Sequence, residues 1–205
     1  MAAATPKVYG VVPAAGASRR MGTAKQLLPW GDSNIVRTVV DAIAAGGVDG
    51  LVLVTNPTVA EALSPEFCAT HNVVVLDDPK AEMIDSIIAG VLALRTVYSP
   101  NDDDAFLVCP GDLPRMSAGL VQRCVAAYRA CPRQPVAPVT GERPRHPLVV
   151  PFALADDLDG LHGIGLQGLF TRNGVHLHTI TADDPALVED VDTLEEYEAL
   201  RKRGT

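Results

Sequence analysis

The stretch Val8-Tyr9-Gly10-Val11-Val12, continued by Pro13 to Pro29 (PAAGASRRMGTAKQLLP), decides how the rest of the chain is interpreted. Its apolar beginning predicts a strand buried in a parallel sheet. An amphipathic segment at 35–45 predicts a helix, so a loop with glycines and basic residues lies between a strand and a helix. Such a loop lies at the carboxyl end of its strand, where α/β proteins bind anions. We therefore expect the loop to bind a polyphosphate.

The loop offers three kinds of phosphate-binding group. Gly16 and Gly22 permit backbone turns that bulkier residues would strain, and Ser18 supplies a hydroxyl. Three side chains supply positive charge: Arg19, Arg20 and Lys25. The spacing matches neither the P-loop GxxxxGK(S/T) nor the dinucleotide motif GxGxxG. A surface loop made basic for solubility explains poorly why these residues directly follow a buried strand.

The loop resembles the signature of the MobA-like nucleotidyltransferases (NTP transferases). Their pattern is roughly LAAGxSxRMGxxKxLLP, and this chain has nearly all of it, with Pro13 where leucine is usual. The resemblance implies a nucleotide site formed by the loop and by the residues after two further strands. Its predicted members are Ala14, Ala15, Gly16, Ala17, Ser18, Arg19, Arg20, Gly22, Lys25, Asn56, Pro110 and Gly111.

A second strong feature is the segment Phe106 to Pro114 (FLVCPGDLP). An apolar strand that ends in an aspartate flanked by glycine and prolines holds one carboxylate at the carboxyl edge of the sheet. A ligand of a divalent cation is expected there. The segment also resembles the family's GDxP element, whose aspartate is associated with magnesium. Asp112 is therefore the leading predicted metal ligand, and the alternative is that it only caps the following turn or helix.

A third element, Glu189 to Tyr197 (EDVDTLEEY), resembles the family's DIDTPEDL. Asp190 or Asp192 would supply a second carboxylate to the same cation, because the two side chains point the same way if the segment is extended. Asp192 is also suited to cap the last helix. We therefore favour Asp190 as the second metal ligand.

The three elements follow the family's order and span most of the chain, so the resemblance implies a reaction. A nucleoside triphosphate would bind with Mg²⁺, a phosphorylated small-molecule acceptor would attack the α-phosphorus, and pyrophosphate would leave. Arg20, Lys25 and Asp112 are the predicted catalytic residues, acting by positioning and electrostatic stabilisation. The Ala14-Ala15-Gly16 sequence is similar to the molybdenum cofactor cytidylyltransferase (MocA-like) branch, which implies CTP as the donor.

The acceptor half departs from that branch. Relatives have a GMSSSL-like run where this chain has AEMIDSI at 81–87, and GDxGAR where it has HGIGLQ at 162–167. Glu82 and Asp85 lie near one helical face, where they either begin the helix or hold a second metal or a cationic or polyol substrate. The family's GRRGHP appears as RPRHP at 143–147, in which His146 either contacts substrate or is a packed histidine.

These positions form the predicted acceptor site. Its members are Glu82, Asp85, Ser86 and His146. The departures leave molybdopterin, a sugar or polyol phosphate and a phosphonate open as acceptors.

The rest of the chain alternates short apolar runs with helical patterns. Strands are predicted at 8–12, 51–55, 73–76, 105–109, 135–139, 148–150 and 175–180, and helices at 35–45, 59–63, 83–95, 118–129 and 193–201. This alternation predicts a three-layer α/β/α Rossmann-like nucleotidyltransferase fold with a mostly parallel sheet, in a single domain of residues 1–205.

Composition narrows the class of function. The 205 residues are 47% hydrophobic and 4% aromatic, which suits one aliphatic core. A net charge of −8 argues against general nucleic-acid binding. The cysteines lack CxxC spacing, which disfavours structural zinc, and no apolar run reaches the roughly 18 residues of a membrane span. We expect a soluble cytoplasmic protein that binds neither nucleic acid nor membrane.

Two other classes of function stay open from the sequence. A nucleotide-binding accessory protein without catalysis would explain the altered acceptor half, although retention of Lys25, Asp112 and Asp190 counts against it. An oxidoreductase is suggested only by the alternation of strands and helices, and the chain lacks both GxGxxG and an acidic residue suited to a ribose.

Overall fold

The computed structural model describes residues 5–16, 18, 21–182 and 184–203. The strands are β1 (Val8–Ala14), β2 (Pro29–Trp30), β3 (Ser33–Asn34), β4 (Gly50–Thr55), β5 (Val73–Val75), β6 (Ala105–Val108), β7 (Val136–Thr140), β8 (Arg143–Pro144), β9 (Leu148–Pro151) and β10 (His178–Thr181). The α-helices are α1 (Ile35–Ala45), α2 (Pro57–Ala62), α3 (Pro65–Thr70), α4 (Met83–Tyr98), α5 (Ala118–Ala130), α6 (Gln167–Asn173) and α7 (Leu194–Arg203). Short 3₁₀ helices span Lys25–Leu27, Phe152–Leu161 and Pro185–Val188.

One mixed sheet forms the centre of the molecule. Its order is β10-β7-β9-β6-β1-β4-β5, with β8 paired to β7. β1 runs parallel to β4 and β6, whereas β9 is antiparallel to both of its neighbours. The predicted α/β fold with a mostly parallel sheet is confirmed.

The sheet is covered on both faces, which gives three layers. Alternate residues of β1 divide between two cores: Val8 and Val12 pack with α1 and α5, while Tyr9 and Val11 pack with α4 and the 3₁₀ helix Phe152–Leu161. Both cores are mainly aliphatic, and strands buried on two faces explain the near-continuous apolar runs of the sequence. None of the described helices combines the length and apolar character that crossing a membrane requires.

Local signals set the helix ends. The Asn34 side chain accepts a hydrogen bond from the Arg37 amide at 3.0 Å and begins α1 at the predicted residue. Asn56 caps α2 in the same way, and Pro57 suits its first position, so α2 begins two residues before the predicted start. The last strand begins at His178 rather than at Val175, because the Val175 amide donates to Phe170 and closes α6. The short helices α3 and α6 were not predicted.

The sheet register brings three loops to one edge. Ala14, at the end of β1, is paired with Thr55 at the end of β4, and Val11 is paired with Val108 at the end of β6. The segment after β6 lies tightly against β1: the Gly111 amide donates to the Pro13 carbonyl at 3.0 Å. A β-carbon on Gly111 would lie 2.8 Å from that of Ala14, so only glycine allows this approach.

Candidate active site

Three neighbouring cavities lie where β1, β4 and β6 end. The loop cavity, about 670 Å³, includes Gly16, Gly22, Asn56 and Asp77 in its lining. The central cavity, about 360 Å³, is lined by residues that include Lys25, Ser86, Gly111, Asp112, Asp190 and Asp192. The apolar cavity, about 350 Å³, is lined mainly by aliphatic side chains and Phe170, with Arg145 and His146 among its polar groups.

The cavities form a row because they share walls. Ala15 and Gly16 line both the loop cavity and the central cavity. Met83, Pro110, Asp112 and Asp190 line both the central and the apolar cavity. A ligand that extends through the row would therefore pass Asp112 at its middle.

Lys25 stands at the centre of the charged groups. Its Nζ lies 2.7 Å from Asp112 Oδ2 and 2.9 Å from Asp192 Oδ1, and its side chain is only 13% exposed. Burial opposes the charged form of Lys25, but the two acids outweigh this effect and raise the pKa of the ammonium. The Lys25 ammonium thus joins the N-terminal loop to the EDVDTLEEY segment, because Lys25 and Asp192 are 167 residues apart in the sequence.

Asp112 has one oxygen left for a ligand. Lys25 binds Oδ2, whereas Oδ1 is buried and has no hydrogen-bond partner within the described residues. A buried carboxylate oxygen without a donor is costly, and a divalent cation would satisfy it. Because Asp112, Asp190 and Asp192 would repel a triphosphate in this cavity, a bound anion also needs a cation beside them. The donor set therefore fits a hard metal ion that shares its coordination with phosphate oxygens.

Asp190 and Asp192 both line the central cavity, as their spacing in an extended segment predicted. The structure separates their contacts. Asp192 reaches Lys25, and it does not cap the last helix. Thr193 does: its hydroxyl accepts from the Glu196 amide at 3.2 Å, and the Glu196 carboxylate accepts from the Thr193 amide at 2.8 Å. This capping box leaves the carboxylates of Asp190 and Asp192 to the cavity.

Hydrogen bonds within the N-terminal loop determine its shape. Ser18 has a positive φ of 46°, and its hydroxyl accepts from the Lys25 amide at 3.1 Å. The same hydroxyl donates to the buried side chain of Gln26, which in turn donates to the Gly16 carbonyl. Asn56 donates to the Ala15 carbonyl at 3.3 Å and so joins the end of β4 to the loop. Ser18 is thus a structural link of the loop, and a contact from Ser18 to phosphate stays a prediction.

Three predicted nucleotide-binding residues, Ala17, Arg19 and Arg20, lie outside the described residues. Their assignment to the nucleotide site therefore stays a prediction. The other predicted members of the nucleotide site all line the loop or the central cavity except Ser18.

His146 lines the apolar cavity, and a backbone contact orients its ring. Its Nδ1 lies 3.1 Å from the Val108 carbonyl oxygen, which only accepts hydrogen bonds, so Nδ1 carries a proton. Burial lowers the pKa of His146 and favours the neutral ring, although Asp112 and Asp190 act in the opposite direction. Nε2 of the neutral ring is then a hydrogen-bond acceptor.

The predicted acceptor residues are divided by the structure. Ser86 is buried in the wall of the central cavity, and Glu82 also lines it. Asp85 is engaged elsewhere: Oδ2 accepts from the Glu82 amide at 2.7 Å, and Oδ1 lies 2.9 Å from His162 Nε2. Glu82 and Asp85 form a capping box at the start of α4. This is the first of the two roles considered from the sequence, in which the two acids begin the helix. Among the described residues, no group of three or more acidic, histidine or cysteine side chains is arranged to hold a metal.

Several site residues were missed from the sequence. Gln26 is one, since a polar residue in a 3₁₀ turn carries no signal of burial. Asp192 was considered from the sequence beside Asp190 as a metal ligand, but its contact with Lys25 was not predicted. Leu166 and Phe170 of the apolar cavity show the same pattern as ordinary core residues.

A mixed α/β sheet with a phosphate-type loop after β1 and a carboxylate after β6 defines an enzyme of the nucleotidyltransferase class. The chain belongs to the MobA-like NTP transferase domain family, whose model matches residues 10–177.

Two curated relatives show the range of this similarity. The chain is 27% identical over 201 residues to nicotine blue oxidoreductase of Paenarthrobacter nicotinovorans, covering 93% of this chain and 95% of that protein. It is 34% identical over 137 residues to 2-C-methyl-D-erythritol 4-phosphate cytidylyltransferase of Enterobacter sp. (strain 638), covering 64% of this chain and 58% of that enzyme.

A similar solved structure is that of Rv0371c from Mycobacterium tuberculosis H37Rv. It has a TM-score of 0.80 and 24% identity, and the match covers 96% of this chain and 98% of that one. The same protein is also known as a manganese complex, which matches with a TM-score of 0.76 and 22% identity over 97% of this chain and 100% of that one. At this identity the likeness shows the fold.

Proposed function

We propose that the protein transfers a cytidylyl group from CTP to a phosphorylated small-molecule acceptor and releases pyrophosphate, with Mg²⁺ as the cofactor. The observation that carries this proposal is the Lys25–Asp112–Asp192 cluster. It lies in the central cavity, between a cavity of nucleotide size and a second cavity for the acceptor.

We assign each part of the two substrates to one cavity in the row. The loop cavity would take the base and ribose, with Asn56 and the backbone of Ala15 and Gly16 in its wall. The central cavity would take the phosphates, where Lys25 supplies positive charge and Arg20 is the second proposed catalytic cation. The apolar cavity would take the body of the acceptor.

Asp112 and Asp190 are the proposed ligands of Mg²⁺. When bound, the ion would supply positive charge to the phosphate oxygens, and Asp112 Oδ1, which has no partner among the described residues, supports its placement. Lys25 would stabilise the charge that develops on the phosphates. The chain thus contributes orientation and electrostatics without a covalent nucleophile, and the manganese complex of Rv0371c agrees with a divalent ion in this fold.

The lining of the third cavity bears on the acceptor. Aliphatic walls suit an acceptor with an apolar or flat body better than a small polyol, whereas Arg145 suits a phosphate. The Enterobacter relative acts on a polyol phosphate, as its name states, so both kinds of acceptor belong in the test. Molybdopterin, the acceptor of the MocA-like branch, is the proposed candidate with a flat body.

Pyrophosphate release tests the proposal. The purified protein is assayed with CTP, GTP, ATP and UTP, each with Mg²⁺ or Mn²⁺, against molybdopterin, 2-C-methylerythritol 4-phosphate and a set of sugar phosphates and phosphonates. Turnover that requires CTP, metal and one acceptor is expected. Thermal stabilisation by CTP without turnover for any acceptor would instead indicate a nucleotide-binding accessory protein.

One observation favours oxidoreduction as a second candidate, because the match to nicotine blue oxidoreductase covers nearly the whole of both chains. The apolar cavity would then hold a planar substrate. Oxidation of NADH or NADPH in the presence of nicotine blue, followed by absorbance, tests it. Against it stands the loop after β1, which lacks the GxGxxG motif of dinucleotide sites.

A further inference from the structure

Two segments whose sequences depart from the family pattern contact each other directly. At the start of α4, Asp85 Oδ1 lies 2.9 Å from His162 Nε2, and the Glu82 carboxylate accepts from the Gly163 amide at 3.1 Å. These two contacts join α4 to the turn that precedes α6. We call the His162–Asp85 pair, together with the Glu82–Gly163 bond, the latch.

The geometry of the latch requires a protonated histidine. His162 Nδ1 lies 3.0 Å from the Asp159 carbonyl oxygen, and Nε2 faces the Asp85 carboxylate. Both partners are acceptors, so both ring nitrogens must donate. A neutral imidazole carries one N–H only, and deprotonation therefore breaks one of the two bonds.

The latch lies at the junction of two walls of the apolar cavity. Met83 and Ile84 of α4 form part of one wall, and Gly165, Leu166 and Gln167 form part of the other. Gly163 and Gly165 both have positive φ, at 71° and 76°, so the turn contains two residues with high backbone freedom. The Ile164 and Gly165 amides both donate to the Leu161 carbonyl within the turn, and the two latch contacts then join this turn to α4.

We propose that His162 is a positioning residue which, while protonated, holds the wall of the apolar cavity against α4 and which loosens that wall when it loses its proton. This proposal rests on the proposed function in one respect, which is that the apolar cavity is taken as the acceptor site. The latch itself is defined by the contacts of His162 with Asp85 and of Glu82 with Gly163.

The charges around the ring set the direction of the pH effect. The hydrogen bonds to Asp85 and to the Asp159 carbonyl are the largest effects and raise the pKa of His162; burial acts in the opposite direction, and the charges of Asp85 and Glu82 add to the rise. The hydrogen bond to His162 lowers the pKa of Asp85. On the side of α6, Arg172 donates to the Gly160 carbonyl at 2.6 Å.

The shifts in the pKa values of His162 and Asp85 determine how the stability of the latch changes with pH. A raised histidine pKa means that the contribution is complete at low pH and is lost as pH rises through the folded value, above the ordinary 6.5. A lowered carboxyl pKa means that it is lost only in acid, below the ordinary 3.8. The latch is therefore closed at pH values below the raised pKa of folded His162, and it opens as the pH rises through that pKa.

Histidine NMR is the first part of the test. Ring signals of His162 are titrated in the wild type and in Asp85→Asn, and exposed His176, which lies outside the latch, reports general changes. We expect His162 to titrate above 6.5 in the wild type and at lower pH in Asp85→Asn. A wild-type value at or below 6.5, or one that Asp85→Asn leaves unchanged, overturns the latch.

Cavity binding is the second part. The probe is 8-anilinonaphthalene-1-sulfonate, an apolar anion whose charge is constant between pH 6.0 and 8.5. We expect the Kd of the wild type to rise about threefold over this range. In His162→Ala the Kd should stay at both pH values near the raised wild-type value of pH 8.5, and the control His176→Ala should behave as wild type. An equal pH dependence in wild type and His162→Ala overturns the positioning role. Neither measurement needs turnover, so a failed pyrophosphate screen would overturn the proposed function and leave this test intact.

Discussion

The central and the apolar cavity share Asp112 and Asp190 but are built from different kinds of contact. In the central cavity, charged groups from distant parts of the chain meet, and Lys25 links two acids within 2.9 Å. In the apolar cavity, aliphatic side chains form the wall, and a turn with two glycines in the left-handed region completes it. Chemistry that is common to a family needs a few polar groups in fixed geometry, whereas acceptor choice rests on surfaces that can change residue by residue.

The largest effect is expected from Asp112→Asn, which keeps the size of the side chain and removes its charge. It should reduce kcat for pyrophosphate release at least about 100-fold, because the carboxylate that binds Lys25 is also the proposed metal ligand. The matched control is Asp41→Asn, an exposed acid on α1, which should behave as wild type. Turnover within about tenfold of wild type in Asp112→Asn would remove Asp112 from the metal site.

Lys25→Ala should have the next largest effect. It leaves Asp112 and Asp192 without their shared cation and removes a charge from the proposed phosphate site, so kcat/KM for CTP should fall about 10-fold to 100-fold. Steady-state kinetics at saturating Mg²⁺ measures the change, with the exposed Lys7→Ala as control. If only thermal stability falls and kcat/KM stays the same, Lys25 is a structural cation.

Comparing Asp190→Asn with Asp192→Asn tests which of the two aspartates is the second metal ligand. We expect Asp190→Asn to raise the Mg²⁺ concentration for half-maximal rate about tenfold, because it removes a proposed ligand. Asp192→Asn should change this value less, since its carboxylate is bound to Lys25. The reverse order would make Asp192 the second ligand.

His146→Asn tests the acceptor side alone. An asparagine amide can still donate to the Val108 carbonyl, as Nδ1 does, but it lacks the acceptor nitrogen at the cavity. KM for the acceptor found in the pyrophosphate screen should rise about fivefold while KM for CTP stays the same. Equal changes in both KM values would place His146 in the scaffold of the whole site.

Stability against pH gives a second measurement on His146. Because burial lowers its pKa, the unfolded chain takes up a proton below the ordinary 6.5 that the folded state resists. The contribution of His146 to stability is therefore present above 6.5 and is lost as pH falls from there towards the folded pKa. Urea unfolding between pH 5 and 7 should show a smaller loss in His146→Asn than in the wild type.

The smallest effect is expected from Thr193→Ala. This change removes the cap of α7 and should lower the free energy of unfolding by about 1 kcal/mol, measured by urea denaturation. The Mg²⁺ dependence should not change, because the Asp192 carboxylate is held by Lys25. A changed Mg²⁺ dependence would show that the cap also positions the acids.

Local patterns were sufficient to predict much of this fold. The amphipathic pattern at 35–45 predicts α1, which starts directly after the Asn34 cap, and the apolar run at 105–109 predicts a buried strand wherever its neighbours lie. The short helix α6 and the 3₁₀ helix Phe152–Leu161 had no comparable signal. Their residues fold as they do because they cover the second face of the sheet.

By itself, the sequence determined the kind of site: a phosphate-type loop after the first strand, Asp112 after a later one, and paired acids near the last helix. These depend on residue type and spacing, which are local properties. Only the tertiary structure decided that Lys25 meets Asp192 and that Asp85 bonds to His162. Such contacts join residues separated by 167 and 77 positions, and their geometry is set by how strands and helices pack, which no local pattern records.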